Sequence, residues 1–256
     1  MTAFETPAEN VAAQVLQASS RILDCFSVET PHLHVSDIVR LADVPSSTVM
    51  ELLPELADRH LLQRDGSFYS VGLRMIQWGA SADGASGLLE AARSLLPALR
   101  DRTGECCGLQ IRQDGHHVTL FWAHSLHALP CPGHVGRVQP LRGSAAGHVF
   151  MAHDLNALRI ARGDGFASFP SSGVEPETPD GHLEQLRRRG WTFVDEGRSH
   201  GMSTLAAPVF AADGTVMAAV TLGGETRRWT TDRVDGLARR VVDSAIGMSR
   251  YLAACG

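Results

Sequence analysis

Five histidines, His116, His117, His124, His127 and His134, fall within nineteen residues, with Cys131 among them. Imidazole and thiolate together suit zinc. The spacing does not: His116 and His117 are neighbours beside a turn, and adjacent strand residues point to opposite faces. Solvated loop histidines are the expectation, with no metal. An enzyme would need a nucleophile beside a base, and the candidates are Ser144 in "RGSAAG" or Cys131 with His134 or His148. Ser144 lacks the G-x-S-x-G turn that exposes a serine nucleophile, and nothing but proximity in sequence pairs the others. Neither catalysis nor a cofactor is expected. The run Arg187–Arg189 looks basic but follows Glu184 on a short helix, so a solvated face is expected. A different chemistry is suggested by "VSDIVRLADVPSSTVMELLPELADRH", residues 35–60, which reads as two short amphipathic helices joined by a tight turn. That is the build of a helix-turn-helix DNA reader, yet its second helix carries Glu51, Glu55 and Asp58 against Arg59 alone.

Composition bounds what can position such residues. At 256 residues, with 44% hydrophobic and 20% charged residues, the chain can form one large or two ordinary domains with a sizeable core. No apolar run approaches the roughly 18 residues of a membrane span, and "MTAFETPAEN" lacks the basic and apolar regions of a signal peptide. A cytoplasmic protein is expected. Five cysteines (25, 106, 107, 131 and 255) form an odd set without a C-x-x-C pair, which suits reduced thiols. All 23 basic residues are arginine. Residues 1–80 hold five Arg against ten Asp and Glu, so the net charge of -5 of the whole chain is matched within the part that resembles a DNA reader.

The apolar spacing supplies the elements. Val11, Val15, Ala18, Ile22 and Phe26 form a helical stripe for a first helix. Ser36 suits the N-cap of a second, and Ser46, Ser47 and Thr48 can cap a third after the Val44-Pro45 turn. Pro54 removes an N–H inside that third helix, a cost of up to roughly 3 kcal/mol unless the helix bends or restarts, so a bent helix is expected. "LLQRDGSFYSVG" reads as a hairpin around Asp65-Gly66. Three helices and a hairpin make a winged helix over residues 1–80. "SADGASG", residues 81–87, reads as a hinge before the linker helix "LLEAARSLLPALRDRTG", giving a boundary segment 81–104. Beyond it, "GLQIRQ" and "HHVTLFWAH" pair around Asp114-Gly115, and "TLAAPVF" and "TVMAAVTL" pair across residues 212–214. Helices are expected near Ser144–Ala152, near Leu155–Arg162 and over "HLEQLRRRG". A Pro/Ser-rich loop, "FPSSGVEPETPD", and a long closing helix with Val234, Leu237, Val241, Ala245 and Met248 on one stripe complete the pattern. Residues 105–256 thus read as an antiparallel sheet flanked by helices, an α+β sensor domain of GAF/PAS-like type.

The order of parts resembles the IclR-type bacterial transcriptional regulators almost end to end. "VSDIVRLADVPSSTVMELLPEL", "FYSVGLRMIQWG", "VQPLRGSAAGHVFMA" and "RRRGWTFVDEGRSHGMSTLAAPVFAADGTVMAAVTLGG" are similar to that family's successive motifs. The resemblance implies a winged-helix DNA-binding domain, a linker helix and a C-terminal effector domain that binds a small metabolite, in dimers or tetramers on palindromic operators. It departs on the reading head: Ser46 stands where family members usually carry Lys, Glu51 where they carry Arg, and Pro54 where they have no proline.

The resemblance places the effector pocket between the helix opening at Ser144 and two strands, at Ala145, Ala146, Thr204, Thr221 and Gly223, with Leu126, Leu129 and Cys131 as an apolar lid. Unpaired N–H groups and the positive dipole end of a helix start favour a carboxylate there, so a small organic or aromatic acid is the expected effector. For DNA, the expected phosphate contacts are Arg21, Arg40, Arg64 and Arg74 with the N–H groups at Ser46, Ser47 and Thr48, while Glu51 would accept from a cytosine N4 amino group. The alternative is a metabolite-sensing dimer whose acidic winged helix contacts protein and not DNA.

Overall fold

The computed structural model describes residues 7–127, 133–163, 179–195 and 201–255. The chain divides into two compact units, residues 1–85 and 86–256. In the first, α1 (Pro7–Leu23), α2 (Val35–Leu41) and α3 (Ser46–Asp58) pack with a sheet of β1 (His32–His34), β2 (Leu62–Asp65) and β3 (Phe68–Val71), followed by α4 (Arg74–Ser86). The β2–β3 hairpin turns at Gly66-Ser67, and β1, which the sequence pattern did not signal, adds to the far side of β3. Ile22, Leu33, Ile38, Val49, Leu53, Leu56, Leu62 and Tyr69 form its core.

Local details in this unit depart from the sequence reading. Only Ile22 of the first-helix stripe is buried. Val11 and Val15 are exposed, and Phe26 lies beyond the helix end at Leu23. The α2 cap is His34, whose side chain accepts from the Ser36 N–H, so Ser36 stands inside the helix. Pro45 occupies the N-cap of α3 with no side-chain cap bond, its ring fixing φ for the entry. Ser46, Ser47 and Thr48 are therefore already helical. The helix also runs uninterrupted through Pro54, with that ring on the exposed face, where the carbonyl it orphans can meet water. The expected hinge is helical as far as Ser86. The break is Gly87 alone, at φ +62, a left-handed conformation that glycine adopts without a Cβ penalty.

In the second unit, α5 (Leu88–Thr103) is a core element: Leu88, Ala91, Ala92, Leu96 and Leu99 are buried. There follow β4 (Cys106–Gln113), β5 (His116–Ala123), β6 (Val138–Pro140), α6 (Ala145–His153), α7 (Leu155–Gly163), α8 (Pro179–Arg189), β7 (Thr192–Val194), β8 (Met202–Phe210) and β9 (Val216–Glu225). A 3-10 turn, Thr226–Arg228, leads into α9 (Thr231–Cys255). Both expected hairpins form, and β4 pairs with β9 to join them in an antiparallel sheet of order β6-β5-β4-β9-β8-β7. Its strands alternate between two covered faces. Cys107, Leu109, Leu205, Ala207, Val220 and Leu222 face α5 and α9, whereas Ala206 and Ala219 face α6, α7 and α8. Helices over both faces of an antiparallel sheet give the α+β architecture.

A fully buried carboxylate fastens α9 to the sheet. Glu105 accepts from Arg228 at 2.6 and 3.3 Å, from Arg233 at 2.9 Å and from the Trp229 indole at 3.2 Å. The hydrogen bond to Glu105 pushes the Arg228 pKa up. Cys107 is free and buried, its thiol pushed up to about 12 by desolvation, but Cys106 is engaged in a disulfide, against the expectation of reduced thiols throughout. Arg187 and Arg188 are exposed, as expected of a solvated face, although Arg187 also donates to the Ala152 carbonyl and the half-buried Arg189 lies 4.2 Å over the Trp191 ring. Among the described residues no helix is long and apolar enough to cross a membrane, and no group of three or more metal-binding side chains forms.

Candidate functional site

The start of α6 faces a cavity of about 110 Å³, against roughly 10–15 Å³ for a single water site. Ser144 caps α6, accepting from the Gly147 N–H at 3.0 Å, with His117 Nε2 at 2.9 Å from the same hydroxyl. The first N–H groups of a helix have no intrahelical partner. Ser144 satisfies that of Gly147, leaving Ala145 and Ala146 at the cavity wall with the positive end of the helix dipole behind them. Thr204 from β8, and Thr221 and Gly223 from β9, line the cavity too.

Other expected pocket residues lie elsewhere. Leu126 is 62% exposed, its N–H bonded to the Gly104 carbonyl, and it is not part of the cavity wall. Leu129 and Cys131 lie outside the described residues, as does the Pro/Ser-rich loop except for Pro179 and Asp180, which open α8. The histidine reading also changes. His117 is buried on β5 and buttresses the helix cap, because strand alternation sends it inward while His116 points out.

The sequence reading missed Gln110, His117, Thr119, Trp122, Arg137 and Gln139 in the wall. A β-bulge explains Trp122. Residues 119 and 122, three apart, would normally face opposite sides of a strand. Here Gly108 pairs with Trp122, Leu109 with Phe121 and Gln110 with Thr119, so Leu120 is the extra residue that brings both side chains to the cavity face. A Cβ on Gly108 or Gly133 would come within 2.8 or 2.2 Å of the Trp122 ring, so both glycines make room for the indole. Thr119 also donates its N–H to the Arg137 carbonyl, which brings Arg137 to the wall. The buried Oε1 of Gln110 and Nε1 of Trp122 find no hydrogen-bond partner among the described residues.

In the first unit the outward face of α3 carries Ser46, Ser47, Met50, Glu51, Pro54, Glu55 and Asp58, with Thr48 half-buried. Glu55 pairs with Arg59, whereas Glu51 has no ion pair among the described residues. Arg21 donates to the Asp43 carbonyl and carboxylate at 2.7 and 3.1 Å, and Arg40 to Asp37 at 3.0 Å. Arg64 and Arg74 instead donate to the carbonyls of Gly66 and Arg59, so their charge is not neutralised.

A three-helix reader with a wing, joined to a sheet domain that encloses a small polar cavity at a helix start, defines a ligand-responsive class of transcriptional regulator. Family models agree: "IclR helix-turn-helix domain" matches residues 16–66 and "Bacterial transcriptional regulator IclR C-terminal" matches residues 84–250. The chain belongs to the IclR family of bacterial transcriptional regulators. It is similar to the HTH-type transcriptional regulator BhcR of Paracoccus denitrificans, at 28% identity over 92% of this chain and 86% of that one. Similarity to the transcriptional repressor IclR of Escherichia coli is 23% over 91% and 87%. Among solved structures, an IclR regulator from Alicyclobacillus acidocaldarius shares the fold at TM-score 0.78 and 22% identity, covering 97% of this chain and 100% of that one. An IclR homologue from Microbacterium hydrocarbonoxydans, complexed with 4-hydroxybenzoate, does so at TM-score 0.75 and 20% identity, covering 94% and 99%.

Proposed function

We propose that this regulator binds palindromic operator DNA through its winged helix and responds to a small organic acid held in the cavity of the second unit. The cavity at the α6 start carries the reading, since the N–H groups of Ala145 and Ala146 suit the anionic end of such a ligand. The Microbacterium homologue complexed with an organic acid gives supporting precedent at the level of the fold. Footprinting on the upstream DNA of its own gene, with and without candidate acids, tests both halves. A protected palindrome whose occupancy changes with one acid is the expected result. Loss of that acid's effect in Ala146→Trp assigns it to the cavity.

A palindromic site calls for a twofold partner. The expected linker helix, α5, spends its apolar face inside its own unit. The surface we assign to pairing is therefore α1 and α4, where Val11, Leu16, Ile76 and Trp78 are all more than half exposed.

One observation favours a second reading, in which the winged helix contacts a basic protein partner. The exposed face of α3 is acidic, and Arg21 and Arg40 are already matched to aspartates. The discriminating measurement is retention of any DNA at about 50 mM salt, where phosphate contacts are strong. If no DNA is retained, the protein-contact reading replaces the DNA reading.

A further inference from the structure

The cavity wall contains more hydrogen-bonding chemistry than a carboxylate at the α6 start consumes. Gln110 is 4% exposed and its Oε1 has no partner among the described residues, while the Trp122 indole presents a buried Nε1–H, also without one among them. Both side chains pack around Gly108: a Cβ there would lie 2.7 Å from the Gln110 amide nitrogen and 2.8 Å from the Trp122 ring. Gln110 Oε1 is an acceptor and the indole N–H is a donor only. A hydroxyl answers both at once, accepting from Trp122 and donating to Gln110. It also complements the other end of the amide, should χ3 turn by half a revolution. A methylene answers neither, and a keto oxygen answers the indole alone. Around this pair the sheet presents Thr119, Thr204 and Thr221, whose hydroxyls suit a polar ligand body better than an aromatic ring.

We propose that the cavity takes a hydroxylated aliphatic carboxylate, its carboxylate at the N–H groups of Ala145 and Ala146 and one hydroxyl held between Gln110 and the Trp122 indole. The proposal rests on the effector reading above and narrows the chemical class of the ligand. An aromatic acid without a hydroxyl is thereby disfavoured, because its ring would leave both buried polar atoms unpaired, at a cost of roughly 5- to 150-fold in affinity for each, from the roughly 1–3 kcal/mol lost for such a group.

The test is calorimetric titration of the full chain with matched pairs: glycerate against propionate, gluconate against hexanoate, and 4-hydroxybenzoate against benzoate. At least one hydroxylated acid is expected to bind about tenfold or more tightly than its partner without hydroxyls. Trp122→Phe and Gln110→Met should each collapse that ratio towards one, and a ratio taken within one variant cancels any general loss of stability. Ala146→Trp should abolish binding of every acid. If propionate, hexanoate or benzoate binds as tightly as its hydroxylated partner and Ala146→Trp still blocks it, the hydroxyl assignment is overturned while the cavity stands; if 4-hydroxybenzoate binds more tightly than glycerate and gluconate, the aliphatic class is overturned. If no acid binds, or Ala146→Trp leaves binding unchanged, the effector reading falls and the proposal with it.

Discussion

At the scale of single residues the reading head poses the sharpest chemical problem. Glu51 is an exposed carboxylate on the outward face of α3 with no ion pair among the described residues to neutralise it. Beside DNA it repels phosphate everywhere but can accept from a cytosine N4 amino group, which converts a general penalty into discrimination. Glu51→Ala is therefore expected to tighten binding to random DNA and to lose preference at one C·G pair per half-site, with little change in salt slope. If operator and random DNA tighten equally, Glu51 is only a repulsive surface charge. Arg74→Ala belongs to the other category of contact. It should weaken all sequences alike and flatten the salt slope by about one unit per contact. The residues of the cavity were unequally legible. Ala145, Ala146, Thr204, Thr221 and Gly223 followed from the family resemblance. Trp122 could not be found by strand parity, because Leu120 interrupts the alternation, and Gln110 is ordinary in sequence until Gly108 and the bulge give it a neighbour.

At the scale of elements, turn chemistry and capping decided what could be read. Asp65-Gly66, Asp114-Gly115 and Asp213-Gly214 marked three hairpins correctly, since each places a positive-φ residue in the turn. "SADGAS" misled, since its small residues are compatible with helix and α4 carries through them to Gly87. Two elements offer direct tests. Gly147, in the first turn of α6, lies so close to the preceding turn that a Cβ would meet the Leu141 carbonyl oxygen at 1.6 Å. Gly147→Ala should cost about 1–3 kcal/mol or more in urea unfolding and displace the helix start that faces the cavity. Glu105→Ala removes the acceptor of two guanidinium groups and an indole. A loss of about 3 kcal/mol is expected, at the low end for a buried pair because both arginines reach solvent, with a smaller loss in Glu105→Gln. An unchanged midpoint in Glu105→Ala would show that α9 is held by its apolar stripe alone.

For the whole molecule, acid is a predicted weakness. Burial lowers the pKa of His148 well below its usual value, with His182 adding repulsion. Burial also lowers His182 and His153, helped by Arg189 and Arg187 respectively. The native state keeps these rings neutral while the unfolded chain takes up protons near pH 6.5. Stability is thus fully present above that pH and declines as the pH falls below it. Thermal unfolding at about pH 5 should begin well below that at about pH 7.5, and an equal or higher midpoint in acid would refute the assignment. Assembly is tested by sedimentation: a dimer or larger species is expected, with Leu16→Glu shifting it towards monomer, and a monomeric parent at micromolar concentration would remove the twofold reader. The interleaved faces of the sheet carry a different consequence. Along β9, Ala218, Val220 and Leu222 serve the apolar core, while Ala219, Thr221 and Gly223 turn the other way, the last two lining the cavity. Cavity lining and fold stability are thus written in alternate letters of one strand. On the proposed effector reading, a lineage, or an engineer building a biosensor, can exchange the letters at Thr221, Thr204 and Thr119 for a new ligand without spelling the core differently.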